Sequence, residues 1–206
     1  MRGPVGAVVL AAGASTRLGT PKQLIRFRGR TLLTRTVYVA AAAGFQPIVV
    51  VVGAYGERIR QEVALPPGAG WVENPRWPEG MSTSIRVGLA ALVEAVPSVR
   101  GVLMMACDQP YVSVTLLRRM AAAYRRTGAP VVACMYGGTF GVPALFDGAL
   151  FPELLVLEGD TGAKSVIARH LDRAVQVPFP RGVIDIDMAS DRAKLLRHST
   201  IRETAS

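Results

Sequence analysis

The chain has 206 residues, 50% of them hydrophobic and 19% charged, a balance that supports a packed interior and excludes general disorder. Its formal charge of +9 rests mainly on arginine, with lysine only at 22, 164 and 194, and suits anionic substrates such as triphosphates as readily as nucleic acid. No apolar run reaches the roughly 18 to 20 residues that a membrane helix needs, and Cys107 and Cys134 have neither the number for a disulfide framework nor a metal-type spacing, so a reducing cytoplasm is expected and no membrane partner.

The apolar stretch over 5–12 behind Arg2 imitates a short signal peptide, but Arg17, Gly19, Pro21 and Lys22 follow at once and give a leader no use. Residues 5–10 are instead expected to form the first strand. Further apolar runs predict strands over 48–52, 71–73, 101–106, 131–135, 174–177 and 183–186. Helical patterns fill the gaps. One runs over 31–43 and stops at Gly44, and others cover 56–63, 82–96, 163–171 and 189–197. A further helix starts at the N-cap Ser113 and carries Leu116, Leu117, Met120 and Tyr124 toward the core before Gly128. Strands alternating with helices imply βα units around a mostly parallel sheet covered on both faces. The Pro/Gly clusters at 66–70 and 75–80 read as loops and no repeat is present, so one domain over 1–206 is expected, with a polar tail after His198. The pairs Arg118/Arg119 and Arg125/Arg126 fall on the outer face of a helix without interleaved aromatics, which argues against a nucleic-acid platform.

The chemistry concentrates in LAAGASTRLGTPKQL over 10–24. Leu10, Ala11, Ala12 and Gly13 end the first strand, and small residues there let backbone amides approach a phosphate. In open α/β sheets ligands bind beyond the carboxyl ends of strands, where this loop emerges. Arg17 can fork onto phosphate oxygens and Lys22 can supply a compact positive charge. Neither GxGxxG nor GxxxxGK[ST] is present, so dinucleotide and Walker readings are excluded. Asp108 follows the apolar strand GVLMMAC; it either ligates Mg²⁺ together with phosphate oxygens or caps the turn before Pro110. Asp185 and Asp187, two apart at a predicted strand end, share one side and could both approach a metal.

The loop, followed in order by ENPRWPEGMSTSIRVGL (73–89), MACDQP (105–110), GTFGVPALF (138–146), EGDTGAKSVI (158–167) and DIDMASD (185–191), resembles the molybdenum cofactor cytidylyltransferases across nearly the whole chain. That resemblance implies a three-layer, Rossmann-like nucleotidyltransferase fold of the glycosyltransferase-A type. It implies that the loop amides, Arg17 and Lys22 hold a triphosphate, and that Ala12, in LAAG rather than LAGG, favours CTP over GTP. Gly80, Ser82 and Ser84 would lie in the segment that closes over the base, with Ser84 near the pyrimidine. Asp108 and Asp187 would bind Mg²⁺, or Mn²⁺, although DIDMASD departs from the usual DIDTPEDL after the carboxylates. Gly141, Pro143 and Phe146 match an element near the acceptor, and Asp160, Gly162 and Lys164 match a loop at the acceptor or pyrophosphate end; Lys164 reads equally well as a surface lysine. His170 and His198 have no counterpart and are expected to be structural or exposed, and Cys107 to be a small buried residue.

The reaction so implied is transfer of CMP from CTP to the phosphate of molybdenum-bearing molybdopterin, releasing pyrophosphate, with delivery to a molybdenum hydroxylase client. The alternatives are cytidylyl, uridylyl or guanylyl transfer to a sugar or polyol phosphate, and a non-catalytic nucleotide sensor or cofactor chaperone.

Overall fold

A computed structural model of the protein describes residues 3–16 and 18–184. In chain order these form β1 (Val5–Ala11), a small hairpin of β2 (Arg26–Phe27) and β3 (Arg30–Thr31), α1 (Leu32–Ala42), β4 (Ile48–Val52), α2 (Gly56–Glu62), β5 (Ala69–Glu73), α3 (Met81–Ala95), β6 (Gly101–Ala106), α4 (Val114–Thr127), β7 (Val131–Tyr136), β8 (Thr139–Asp147), α5 (Phe151–Leu155), α6 (Lys164–Arg169) and β9 (Val175–Pro178). Seven strands make one sheet in the order β5-β4-β1-β6-β8-β7-β9. β5, β4, β1 and β6 run parallel, β8 is antiparallel to both of its neighbours, and β9 is parallel to β7.

The strict alternation of strand side chains divides the interior into two layers. Ala7, Val9 and Ala11 of β1, Val50 and Val52 of β4, and Leu103 and Met105 of β6 face α1, α2 and α4. Val8, Val49, Val51, Val102 and Met104 face α3, α5 and α6 on the other side. With both faces covered, the central strands have no polar side, which is why they read as continuous apolar runs. Gly88 lets α3 lie close: a Cβ there would come within 2.5 Å of Val8 Cγ1 and 2.7 Å of Val51 Cγ2.

Capping follows the sequence. Thr31 caps α1 by accepting from the Thr34 amide, Ser113 caps α4 by accepting from the Leu116 amide, and α4 ends on Gly128 in the left-handed region at φ 68°. The four residues expected to point inward from α4 are all buried.

Three expectations are corrected. Residues 183–184 are not a strand, because Val183 ends a 3₁₀ turn, Pro180–Val183, and the Ile184 amide donates back to Arg181 O; 185 and 186, like the helix expected over 189–197, lie outside the described residues. The acceptor-side motif over 138–146, for which no strand was expected, forms most of β8, in the interior of the sheet. Pro143 is tolerated there because the pairing of β7 with β8 jumps from Ala133↔Ala144 to Cys134↔Gly141, leaving Val142 and Pro143 in a bulge where no ladder donor is required. The helix expected over 163–171 stops at Arg169 and continues as a 3₁₀ turn, Leu171–Arg173.

Candidate nucleotide site

The carboxyl ends of β1 and β6 open into a cleft of about 450 Å³, walled on one side by the glycine-rich loop and on the other by the start of α3 and the segment before α6. The loop is braced from beneath by Gln23, which is buried and donates through Nε2 to Ala11 O at 2.8 Å and Gly13 O at 3.0 Å. It is closed by the Lys22 amide, which donates to Ser15 Oγ at 3.0 Å, while the Leu18 amide donates to Ser15 O. Ser15 sits at φ 52°, a local strain consistent with a loop shaped for a ligand. A Cβ on Gly13 would meet no protein atom within 4 Å, so the room above that residue lies on the cleft side.

Lys22 Nζ reaches Asp108 Oδ2 at 2.6 Å, with side-chain exposures of 21% and 16%. The pair joins the glycine-rich loop to the end of β6 across the floor of the cleft. Arg35 steadies the turn that follows Asp108 by donating to Pro110 O at 2.7 Å. Burial first, then the charges of Arg28 and Arg30, pull its guanidinium below its ordinary pKa.

The opposite wall depends on a buried amide. Asn74 Nδ2 donates to Thr83 Oγ1 at 2.8 Å and to Ser84 Oγ at 2.9 Å, and Asn74 Oδ1 accepts from the Arg76 amide at 3.0 Å. Thus the end of β5, the Trp77 turn and the first residues of α3 are held as one unit. Gly80 has φ +112° and lies backbone to backbone against Gly159, so neither its conformation nor its surroundings admits a side chain. Met81 remains 52% exposed on the rim.

The cleft gathers Leu10, Ala12, Gly13, Lys22, Gly80, Ser84, Asp108 and Asp160 from the residues singled out in the sequence. Ala11 turns away into the helical layer beneath, as strand alternation requires. Ser82 is fully buried behind the wall, its amide donating to Gly159 O at 3.2 Å and its hydroxyl without a partner among the described residues. Gly141 makes room for the Tyr136 hydroxyl, and of the bulge only Val142 reaches the cleft. Lys164 is exposed at the start of α6, outside the lining. Phe146 is core. His170 hydrogen-bonds Glu153 at 2.7 Å, a structural role, and Cys107 is buried as expected. Arg17, Asp185, Asp187 and His198 lie outside the described residues.

Sequence reasoning passed over Gln23, Asn74 and Trp77, although all three stand in quoted motifs. A buried brace leaves no signal distinguishing it from a surface amide until its partners are known.

No group of three or more potential ligands that could hold a metal occurs among the described residues. Asp108 nevertheless suits a hard cation that takes one or two carboxylates and completes its shell with phosphate oxygens and water. A small-residue loop beyond a parallel strand, its own Lys22 set against a carboxylate at the neighbouring strand end, suits a nucleotidyltransferase.

The chain belongs to the family described as the MobA-like NTP transferase domain, whose model matches residues 7–174. Among curated proteins it is 33% identical over 172 residues to nicotine blue oxidoreductase from Paenarthrobacter nicotinovorans, covering 78% of this chain and 79% of that protein. It is 34% identical over 131 residues to the bifunctional protein GlmU of Pelotomaculum thermopropionicum, which is 61% of this chain but only 26% of that protein. Among solved structures, Rv0371c of Mycobacterium tuberculosis H37Rv superposes with a TM-score of 0.81 at 32% identity, over 96% of this chain and 100% of that one. A second structure of Rv0371c, in complex with manganese, superposes with a TM-score of 0.76 at 31% identity, over 95% and 99%.

Proposed function

We propose that the protein transfers CMP from CTP to the phosphate of a molybdopterin-type acceptor carrying molybdenum, releasing pyrophosphate. The observation that carries the transfer reading is the Lys22–Asp108 pair, at 2.6 Å, placed between the glycine-rich loop and the β6 end. The loop amides after Gly13 would cradle the phosphates and Lys22 would balance charge gathering on the departing pyrophosphate. Asp108, with Asp187, would hold Mg²⁺ or Mn²⁺, which when bound lowers the cost of negative charge on the phosphates. The manganese complex of Rv0371c supports a divalent ion in this fold.

No general base is needed. A phosphate monoester has a second pKa of about 6 and reaches the α-phosphorus of CTP already ionised at neutral pH. One P–O bond forms at the α-phosphorus and the bond to the β-phosphate bridging oxygen breaks, its electrons leaving with pyrophosphate. Positioning and electrostatics account for the rate, and the site has no use for a nucleophilic triad. Ala12 at the cleft floor and Ser84 on its wall would bear on the base.

The test is a matrix of the four triphosphates against molybdopterin, methylerythritol phosphate and sugar 1-phosphates, with Mg²⁺ and products identified by mass. A cytidylylated pterin is expected. Turnover with sugar or polyol phosphates alone overturns the acceptor and leaves the transfer. The name of the Paenarthrobacter relative favours one further reading, a redox enzyme, and oxidation or reduction of a substrate without pyrophosphate release would establish it instead.

A further inference from the structure

The amide of Asn74 has one orientation open to it. The residue is 0% exposed, and its Oδ1 lies 3.0 Å from the Arg76 amide nitrogen. A backbone N–H only donates, so the side-chain atom facing it is the oxygen, and the NH₂ group is turned toward the opposite side. That group spends its two hydrogens on Thr83 Oγ1 at 2.8 Å and Ser84 Oγ at 2.9 Å. The two hydroxyls then differ in where their own protons go. Thr83 Oγ1 lies 3.0 Å from Arg76 O and 2.9 Å from Gly80 O, and returns its proton to the loop. Ser84 Oγ accepts from Asn74, and no described residue accepts its proton. Ser84 lines the cleft, where Ala12, Trp77 and Met81 bound the same space.

We infer that Asn74, by donating to Ser84 Oγ, turns the Ser84 proton away from itself and toward the cleft, so that the serine meets the donor base as a hydrogen-bond donor. The inference rests on the nucleotide reading of the cleft and extends it to how the base is held. Cytosine presents two adjacent acceptors, O2 and N3, to such a donor. Asn74 is a positioning residue: it reaches the base only through Ser84.

The test is CTP·Mg²⁺ binding by calorimetry, with steady-state kcat and KM, on the full chain and on N74D, S84A and the double variant; melting without nucleotide controls for folding. Asp at 74 retains an oxygen for the Arg76 amide but puts a second acceptor where the NH₂ group stood. The Ser84 proton is drawn back, and a lone pair turns toward the base. S84A is expected to weaken CTP about three- to tenfold, the loss of one hydrogen bond, and N74D about thirtyfold, since an acceptor then opposes an acceptor. Adding S84A to N74D should restore binding toward the S84A level, with KM following binding and kcat changing little. A merely structural Asn74 makes the double variant as weak as N74D or weaker, and that result overturns the inference. Should N74D fail to fold, Asn74→Ala carries the test without new charge: its effect and that of S84A are expected not to add, and full additivity overturns the inference. A parent chain that binds no triphosphate contradicts the nucleotide reading itself, an outcome distinct from loss of the rescue.

Discussion

Replacing Asp108 by Asn changes charge without changing shape, and so separates what the carboxylate does for the fold from what it does for the reaction. The Lys22–Asp108 pair is partly exposed, at 21% and 16%, and lies between the surface regime and the fully buried one. Surface pairs contribute up to about 1 kcal/mol, and breaking a buried one costs about 3–5 kcal/mol. Because the Asn oxygen still accepts from Lys22 Nζ, the loss of stability is expected near the lower bound, about 1 kcal/mol, or roughly 2–4 °C in Tm for a chain of this size. Turnover should suffer far more. Loss of a metal-binding carboxylate beside the phosphates is expected to lower kcat by about 10²- to 10³-fold. Pyrophosphate release in a coupled assay, run beside a thermal melt, reads both quantities. A D108N enzyme with the parent's rate refutes the assignment of Asp108. A parent that binds CTP yet releases no pyrophosphate with any acceptor favours a nucleotide sensor.

Chelation by EDTA should abolish turnover, and Mg²⁺ or Mn²⁺ should restore it; full activity in EDTA contradicts the proposed cation. Burial pushes the Cys134 thiol up from 9.0 to about 12, so it should resist a thiol reagent at pH 8 until the chain is unfolded, and rapid native labelling of Cys134 contradicts the buried environment. The same shift has a thermodynamic sign. Between pH 9.0 and about 12 the unfolded thiol loses its proton and the folded one keeps it, so stability falls as pH rises, by about 1.4 kcal/mol per pH unit from this group; in denaturant titrations the stability difference between C134A and parent should be constant near neutrality and change above pH 9.0. Gly88→Val drives a side chain into Val8 and Val51 and should cost about 1–3 kcal/mol in chemical denaturation, an unchanged midpoint contradicting the close approach of α3. Tyr124→Phe removes the hydroxyl that donates to Arg100 O at 2.8 Å or Asp147 Oδ2 at 2.6 Å and should cost about 1–3 kcal/mol with kcat unaffected, because the hydroxyl serves the fold alone.

What the sequence made legible is what depends on local pattern. β4 and β6 fall on the expected residues because an apolar run covered on both faces has no competing period, and the caps at Ser113 and Gly44 carry their own chemistry. β8 escaped because Gly141 and Pro143 interrupt it, and the bulge that absorbs them is a property of its pairing with β7, not of its own residues. The hairpin of β2 and β3 is too short, at two residues each, to show a period. In the cleft, Lys22 and Asp108 were readable because a charge beside a glycine-rich loop and another at a strand end are conspicuous. Their meeting at 2.6 Å, across 86 positions of sequence, was not. Asn74 was hidden for a related reason: a polar residue at a strand end looks like a turn signal, and only its partners on α3 show that it is a brace.

The central claim is that bond formation occurs at the α-phosphorus of CTP, and isotopic labelling tests it most directly. Parallel reactions with CTP labelled at the α- or the γ-phosphate, Mg²⁺ and molybdopterin are resolved by chromatography. The account predicts the α label in the acceptor conjugate and the γ label in pyrophosphate. The γ label in the acceptor, or neither label transferred while pterin or cofactor is chemically altered, contradicts it.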